Sequence, residues 1–127
     1  MDGFAGDIGV RGGAAEDGEA RLEFVAESWH LNPAGTVHGG VLATLVDTAM
    51  GLAARSSTDD GEVPATSQLT IAYLTAGHEG LMAVIAQVRK QGDHLLVCDA
   101  DVEQDGKAVV HAVATFAVLS RSPIRLA

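Results

Sequence analysis

One stretch of this sequence, Val37–Arg55, has helical periodicity, and neither of its two faces is suited to open solvent. On a wheel of 3.6 residues per turn, Val41, Leu42, Leu45, Val46, Ala49, Met50, Leu52 and Ala53 form one broad apolar face, which must pack on a core. The opposite face would ordinarily carry Glu, Lys and Arg. Here it reads Gly40, Ala43, Thr44, Asp47, Gly51 and Ala54. A helix that forgoes every long charged side chain on its outer face is packed there too, against further strands or a twin subunit. Asp47 is the exception on that face. A lone carboxylate on a tight surface must be paired, hydrogen-bonded or functional, because burial penalises its charge.

The rest of the chain reads mainly as strands. Arg21–Leu31 alternates, with Leu22, Phe24 and Ala26 in one phase, and the loop Asn32–Thr36 follows, broken by Pro33 and Gly35. After the helix, 56–64 is polar and reads as a loop. Strands are expected at about 65–75, 81–91, 94–104 and 107–119, joined by short turns. The Asp105-Gly106 pair is a hairpin signal, since both residues tolerate positive φ. Short joints require antiparallel pairing. Residues 1–18 are rich in Gly, Ala and acidic residues, and are expected to be loosely ordered or to hold a short strand near Asp7–Arg11. One helix followed by a four-strand meander gives an α+β class, and 127 residues suit a single domain spanning 1–127.

The start of the helix, Thr36-Val37-His38-Gly39-Gly40, offers a second chemical feature. Backbone N–H groups in a first helical turn lack internal partners, and two glycines let a ligand oxygen come close to them. Such donors form an oxyanion hole wherever a carbonyl becomes tetrahedral. Gly39 and Asp47 are eight residues apart, about 12 Å along one helix. Donor and carboxylate must each sit within about 3 Å of one reacting group. A single chain cannot place both. Two antiparallel copies of the helix could, which predicts a symmetric dimer with two sites.

The run from His30 to Asp47, HLNPAGTVHGGVLATLVD, resembles the hotdog thioesterases of the phenylacetate-pathway (PaaI-like) and Arthrobacter-type 4-hydroxybenzoyl-CoA groups. Their signature is an Asn, a Gly three residues on, His-Gly-Gly, and an acidic residue nine beyond the His, and every position is filled. The resemblance spans about residues 20–120. It implies a single hotdog domain, with an antiparallel sheet wrapped around the central helix at about 37–55. It also implies a homodimer, with a homotetramer built as a dimer of dimers, and hydrolysis of acyl-CoA or aryl-acyl-CoA thioesters. No cofactor is implied, since CoA is part of the substrate. By the same resemblance Asp47 is nucleophile or general base, and Gly39 is the backbone donor to the thioester oxygen, with Gly40 beside it. Asn32 and His38 orient thioester or water. Thr66, or its neighbour Ser67, stands near the catalytic water. Relatives often carry a base where Asp93 stands, so CoA would be held by Arg89, Lys90 or Arg121, and an acyl-carrier protein stays open as donor.

A net charge of −9 argues against nucleic acid or an anionic membrane as partner. The one cysteine, Cys98, excludes an intrachain disulfide, and no signal-peptide pattern or membrane-length apolar run is evident, so a cytoplasmic protein is expected. His30, His78, His94 and His111 have no common ligand spacing, so no metal site is expected, and His111 reads as a core or interface histidine. Two other activities fit the resemblance: a hydratase or dehydratase, and a non-catalytic acyl-CoA-binding protein. The first would need His38 and Asp47, about 14 Å apart along the helix, to meet across subunits.

Overall fold

Strict alternation of buried and exposed residues builds the sheet, and a row of alanines lets the helix settle into it. The computed structural model describes residues 1–120. Its elements are α1 (Gly3–Asp7), β1 (Ala14–Glu16), β2 (Glu19–Ala26), a 3-10 turn (Ser28–His30), α2 (Gly39–Ser56), β3 (Glu62–Tyr73), β4 (Gly80–Gln91), β5 (Leu95–Gln104) and β6 (Lys107–Ser120). The strands form one antiparallel sheet in the order β1-β2-β4-β5-β6-β3. In β2 the buried phase is Ala20, Leu22, Phe24 and Ala26, with every intervening residue exposed. Register then places Ala20, Ala86, Ala100 and Ala112 side by side across four strands, all buried. Methyl groups in that row leave room for a helix to approach the sheet closely. Helix α2 contacts all six strands and buries Leu42, Leu45, Val46, Ala49, Met50 and Ala53 among them. The two buried phenylalanines, Phe24 and Phe116, each contribute about 1.5–3 kcal/mol by leaving water.

Several expectations need correcting. The helix begins at Gly39, not Val37, because Val37 pairs with Leu31 and donates its N–H to Gly77 O, while His38 stays extended at φ −58°, ψ 134°. Ala54, expected on the outer face, is buried. Strand β2, expected to run to Leu31, ends at Ala26, and Ser28–His30 curls into a 3-10 turn because the Glu27 N–H finds the His30 ring nitrogen Nδ1 at 2.8 Å. Strand β3 begins three residues earlier than expected, at Glu62. No strand forms at Asp7–Arg11, where Gly9 at φ +104° breaks the extended chain. Instead α1 precedes it, and the first strand is Ala14–Glu16. Asp17-Gly18, with φ of 52° and 83°, turns β1 into β2 just as Asp105-Gly106, at 51° and 76°, turns β5 into β6. Among the described residues, no helix is long and apolar enough to cross a membrane.

Cys98 sits in the core with no exposed surface. Burial, and then the neighbouring Asp99 charge, push its thiol from 9.0 up to about 11. The folded value lies above the unfolded one, so this stabilisation is complete below pH 9 and is lost as pH rises to 11. Relative to Cys98→Ala, the wild type should lose about 2–3 kcal/mol of unfolding free energy across that window. Denaturant titrations of both proteins at pH 8 and pH 11 measure it, and parallel curves would contradict it.

Candidate active site

Asp47 lies midway along α2, half-buried, and its Oδ1 accepts a hydrogen bond of 2.7 Å from Thr66 Oγ1 on β3. Thr66 can reach it only because β3 changes phase. From Tyr73 back through Ile71 to Leu69, alternate residues lie level with buried residues of β6, including Val110, Ala112 and Ala114. Continued without interruption, that alternation would turn Ser67 inward and Thr66 outward. A bulge between Thr66 and Gln68 inserts Ser67 as an extra residue, and Thr66 becomes the partner of buried Phe116. Ser67 instead bonds to Thr115, with its Oγ 2.7 Å from Thr115 Oγ1. Of the two neighbours, Thr66 therefore meets the carboxylate.

At the other end of the site, His38 caps α2. Its Nδ1 accepts the Gly40 N–H at 2.8 Å, so that donor is already engaged. The Gly39 N–H has no partner among the described residues. Gly39 is fixed from above by Tyr73, whose hydroxyl donates to Gly39 O at 2.9 Å. A Cβ on Gly39 would lie 3.3 Å from that hydroxyl, a tight contact that the exposed Tyr73 can relieve by a small shift. Asn32 ties the preceding loop together. Its Oδ1 accepts from the N–H groups of Ala34 and Thr36, and its Nδ2 donates to Thr36 Oγ1. One Asn32 N–H remains for another partner.

Gly39 and Asp47 open into different clefts of the same chain. Asn32, Gly39, Gly40 and Tyr73 line one of about 470 Å³. Asp47 lines another of about 390 Å³ with Phe4, Ala5, Ala43, Thr44 and Leu69. Arg89 and Lys90 border neither. Arg89 is paired with Asp99 at 2.9 Å, whereas Lys90 is exposed. Arg121 lies outside the described residues. His111, read as a core or interface histidine, is half-exposed and 2.8 Å from Asp101.

Sequence reasoning missed Tyr73, Phe4 and His30. Tyr73 continues the inward phase of β3, so the signal existed once the register was known. Phe4 stood in a segment read as loose. His30 is buried, accepts the Glu27 N–H through Nδ1, and so presents Nε2–H to the Ile8 carbonyl, bolting the N-terminal segment to the loop before Asn32.

Comparison with known proteins agrees with this architecture. Residues 34–111 match the model of the thioesterase superfamily. A conserved protein of Pseudomonas aeruginosa shares 31% identity, with a TM-score of 0.89 over 94% of this chain and 95% of that one. A hypothetical thioesterase of Streptococcus pneumoniae, solved with coenzyme A, shares 31% identity at a TM-score of 0.78, covering 84% of this chain and 83% of that one. Acyl-coenzyme A thioesterase 13 of Pongo abelii is 34% identical over 90 residues, 70% of this chain and 64% of that protein. The chain spans 40% or less of the length of four other curated relatives that it matches.

Proposed function

The chain belongs to the thioesterase superfamily, and from that premise we propose that it hydrolyses an acyl-CoA thioester to free acid and CoA, with Asp47 as the catalytic carboxylate. The observation that carries this reading is the hydrogen bond from Thr66 to Asp47. It fixes one carboxylate oxygen and leaves the other to act on water or on the thioester carbon. As a general base, Asp47 takes a proton from water while the water oxygen adds to the carbonyl carbon. As a nucleophile, it adds directly and forms a mixed anhydride that water then opens. In both forms the carbonyl oxygen becomes an oxyanion, the C–S bond breaks, and the CoA thiolate leaves and is protonated.

The Gly39 N–H is the donor to that oxyanion. It stands at the first turn of α2, where the helix dipole favours negative charge. Gly39 belongs to the partner copy of whichever chain supplies Asp47, since about 12 Å of helix separates the two within one chain. The dimer so formed is the minimal active unit, and a tetramer would be two such units. Asn32 and His38 hold the loop and the helix cap that aim Gly39. CoA as the leaving group is supported by the relative solved with coenzyme A. Arg89, already paired with Asp99, is the weaker phosphate ligand, and Lys90 the freer one.

Thiol release from a panel of aryl- and alkyl-CoA thioesters tests the activity. Turnover of at least one ester is the expected result, and binding without turnover across the panel would replace hydrolysis with a carrier role. Thr66→Val should lower kcat about tenfold, as loss of a hydrogen bond to a charged group does, with KM little changed. An unchanged kcat would remove Thr66 from the site.

A further inference from the structure

The N-terminal segment is held firmly, yet its largest side chain is left out of the core. Val10 is buried, Ala5 and Ile8 pack against the core, and Val10 N–H donates to Ala5 O at 3.0 Å. The His30 bolt at Ile8 fastens the segment from below. Phe4 nevertheless stays 70% exposed. It borders the cleft that contains Asp47, together with Ala43 on the helix and Leu69 on β3. A rigid backbone that presents an aromatic ring beside a reactive carboxylate, over a floor of small side chains, is suited to gripping an apolar group. At about 390 Å³ the cleft is of a size that takes a small ligand or part of one.

Resting on the thioesterase reading above, we propose that Phe4 is a specificity-determining residue and that the substrate carries a bulky apolar acyl group, which lies between Phe4 and Leu69 while its carbonyl carbon faces Asp47. The acyl group would lie in this cleft beside the partner copy that supplies Gly39, because the cleft contains the carboxylate that would act on the thioester. CoA lies on the other side of that carbonyl and does not touch Phe4.

Binding tests this independently of turnover. Calorimetry would use the full chain with two probes, CoA itself and a non-hydrolysable thioether of CoA bearing a phenylethyl group. Phe4→Ala should weaken the thioether about tenfold and leave CoA unchanged, and Phe4→Trp should keep the thioether within about threefold of wild type. Equal weakening of both probes by Phe4→Ala would mark a merely structural role and overturn the assignment. So would affinities unchanged for both, or a change confined to dimer dissociation. If the binding pattern holds but the wild type releases no thiol from the corresponding ester, the hydrolytic reading fails and the acyl cleft stands. If hydrolysis proceeds and Phe4 alters neither probe, the cleft assignment alone fails.

Discussion

Asp47→Asn should lower kcat about a hundredfold or more while leaving KM within a few-fold of wild type. The substitution is nearly isosteric, and the amide oxygen can still accept the Thr66 hydroxyl that now bonds at 2.7 Å. Helix α2 and strand β3 therefore keep their contact, and what disappears is the charge. A neutral amide can neither take a proton from water nor attack a thioester carbon. Steady-state thiol release, with thermal unfolding of both proteins as a control on folding, decides the matter. A variant that keeps a tenth or more of the wild-type kcat would move the chemistry to another group. An equal loss of kcat and melting temperature would point to a structural carboxylate instead.

The second large effect concerns two defective chains that repair each other. Gly39→Pro deletes the proposed oxyanion donor at little cost to the helix. Gly39 is the first helical residue, where proline is tolerated, and its N–H has no partner among the described residues. His38, at φ −58° and ψ 134°, already has the conformation that precedes proline. Only Tyr73 must yield slightly, and its ring is exposed. Loss of one such donor should cost about a hundredfold to a thousandfold in kcat. A mixed dimer of Gly39→Pro with Asp47→Asn has one site with both defects and one with neither. Isolated through a different tag on each chain, it should recover about half of the wild-type rate. If donor and carboxylate instead served one chain, the mixed dimer would be as inactive as its parents.

The long helix, its small-residue outer stripe and the four later strands were legible in the sequence because each rests on a local period: 3.6 for the helix, 2 for the strands. The expected four-strand meander was not, since only β4, β5 and β6 follow one another and β3 pairs with β6 at the edge of the sheet. Asp105-Gly106 was legible as a turn for a similar reason, since its dipeptide demands positive φ. Asp17-Gly18 carries the same signal inside a segment whose Gly- and Ala-rich composition masks the strands on either side. Element boundaries were less legible. Val37 reads as helical by pattern, yet a bridge to Leu31 and a bond to Gly77 hold it extended. Both partners are set by tertiary packing and neither by neighbouring residues.

The site divides along the same line. Asp47 and the glycines stood out because they violate the composition expected of their helix face. Choosing between Thr66 and Ser67 required the pairing of β3 with β6, which no local pattern reports. Phe4 and His30 depend on contacts between distant segments, so their placement could not be read from spacing.

The bulge in β3 acts on that strand as an inserted letter acts on a reading frame. Downstream of it, from Leu69 to Tyr73, one set of alternate positions lies level with buried residues of β6; upstream, at Thr66, the other set does. The two halves can therefore diversify under separate constraints, one governed by packing on α2 and the other by the carboxylate. Straightening the bulge with Ser67 kept in the ladder would leave each half chemically intact and yet interchange inside with outside for everything before it. What is held at this point is the pairing itself, since even without Ser67 the chain would keep Thr66 opposite Phe116.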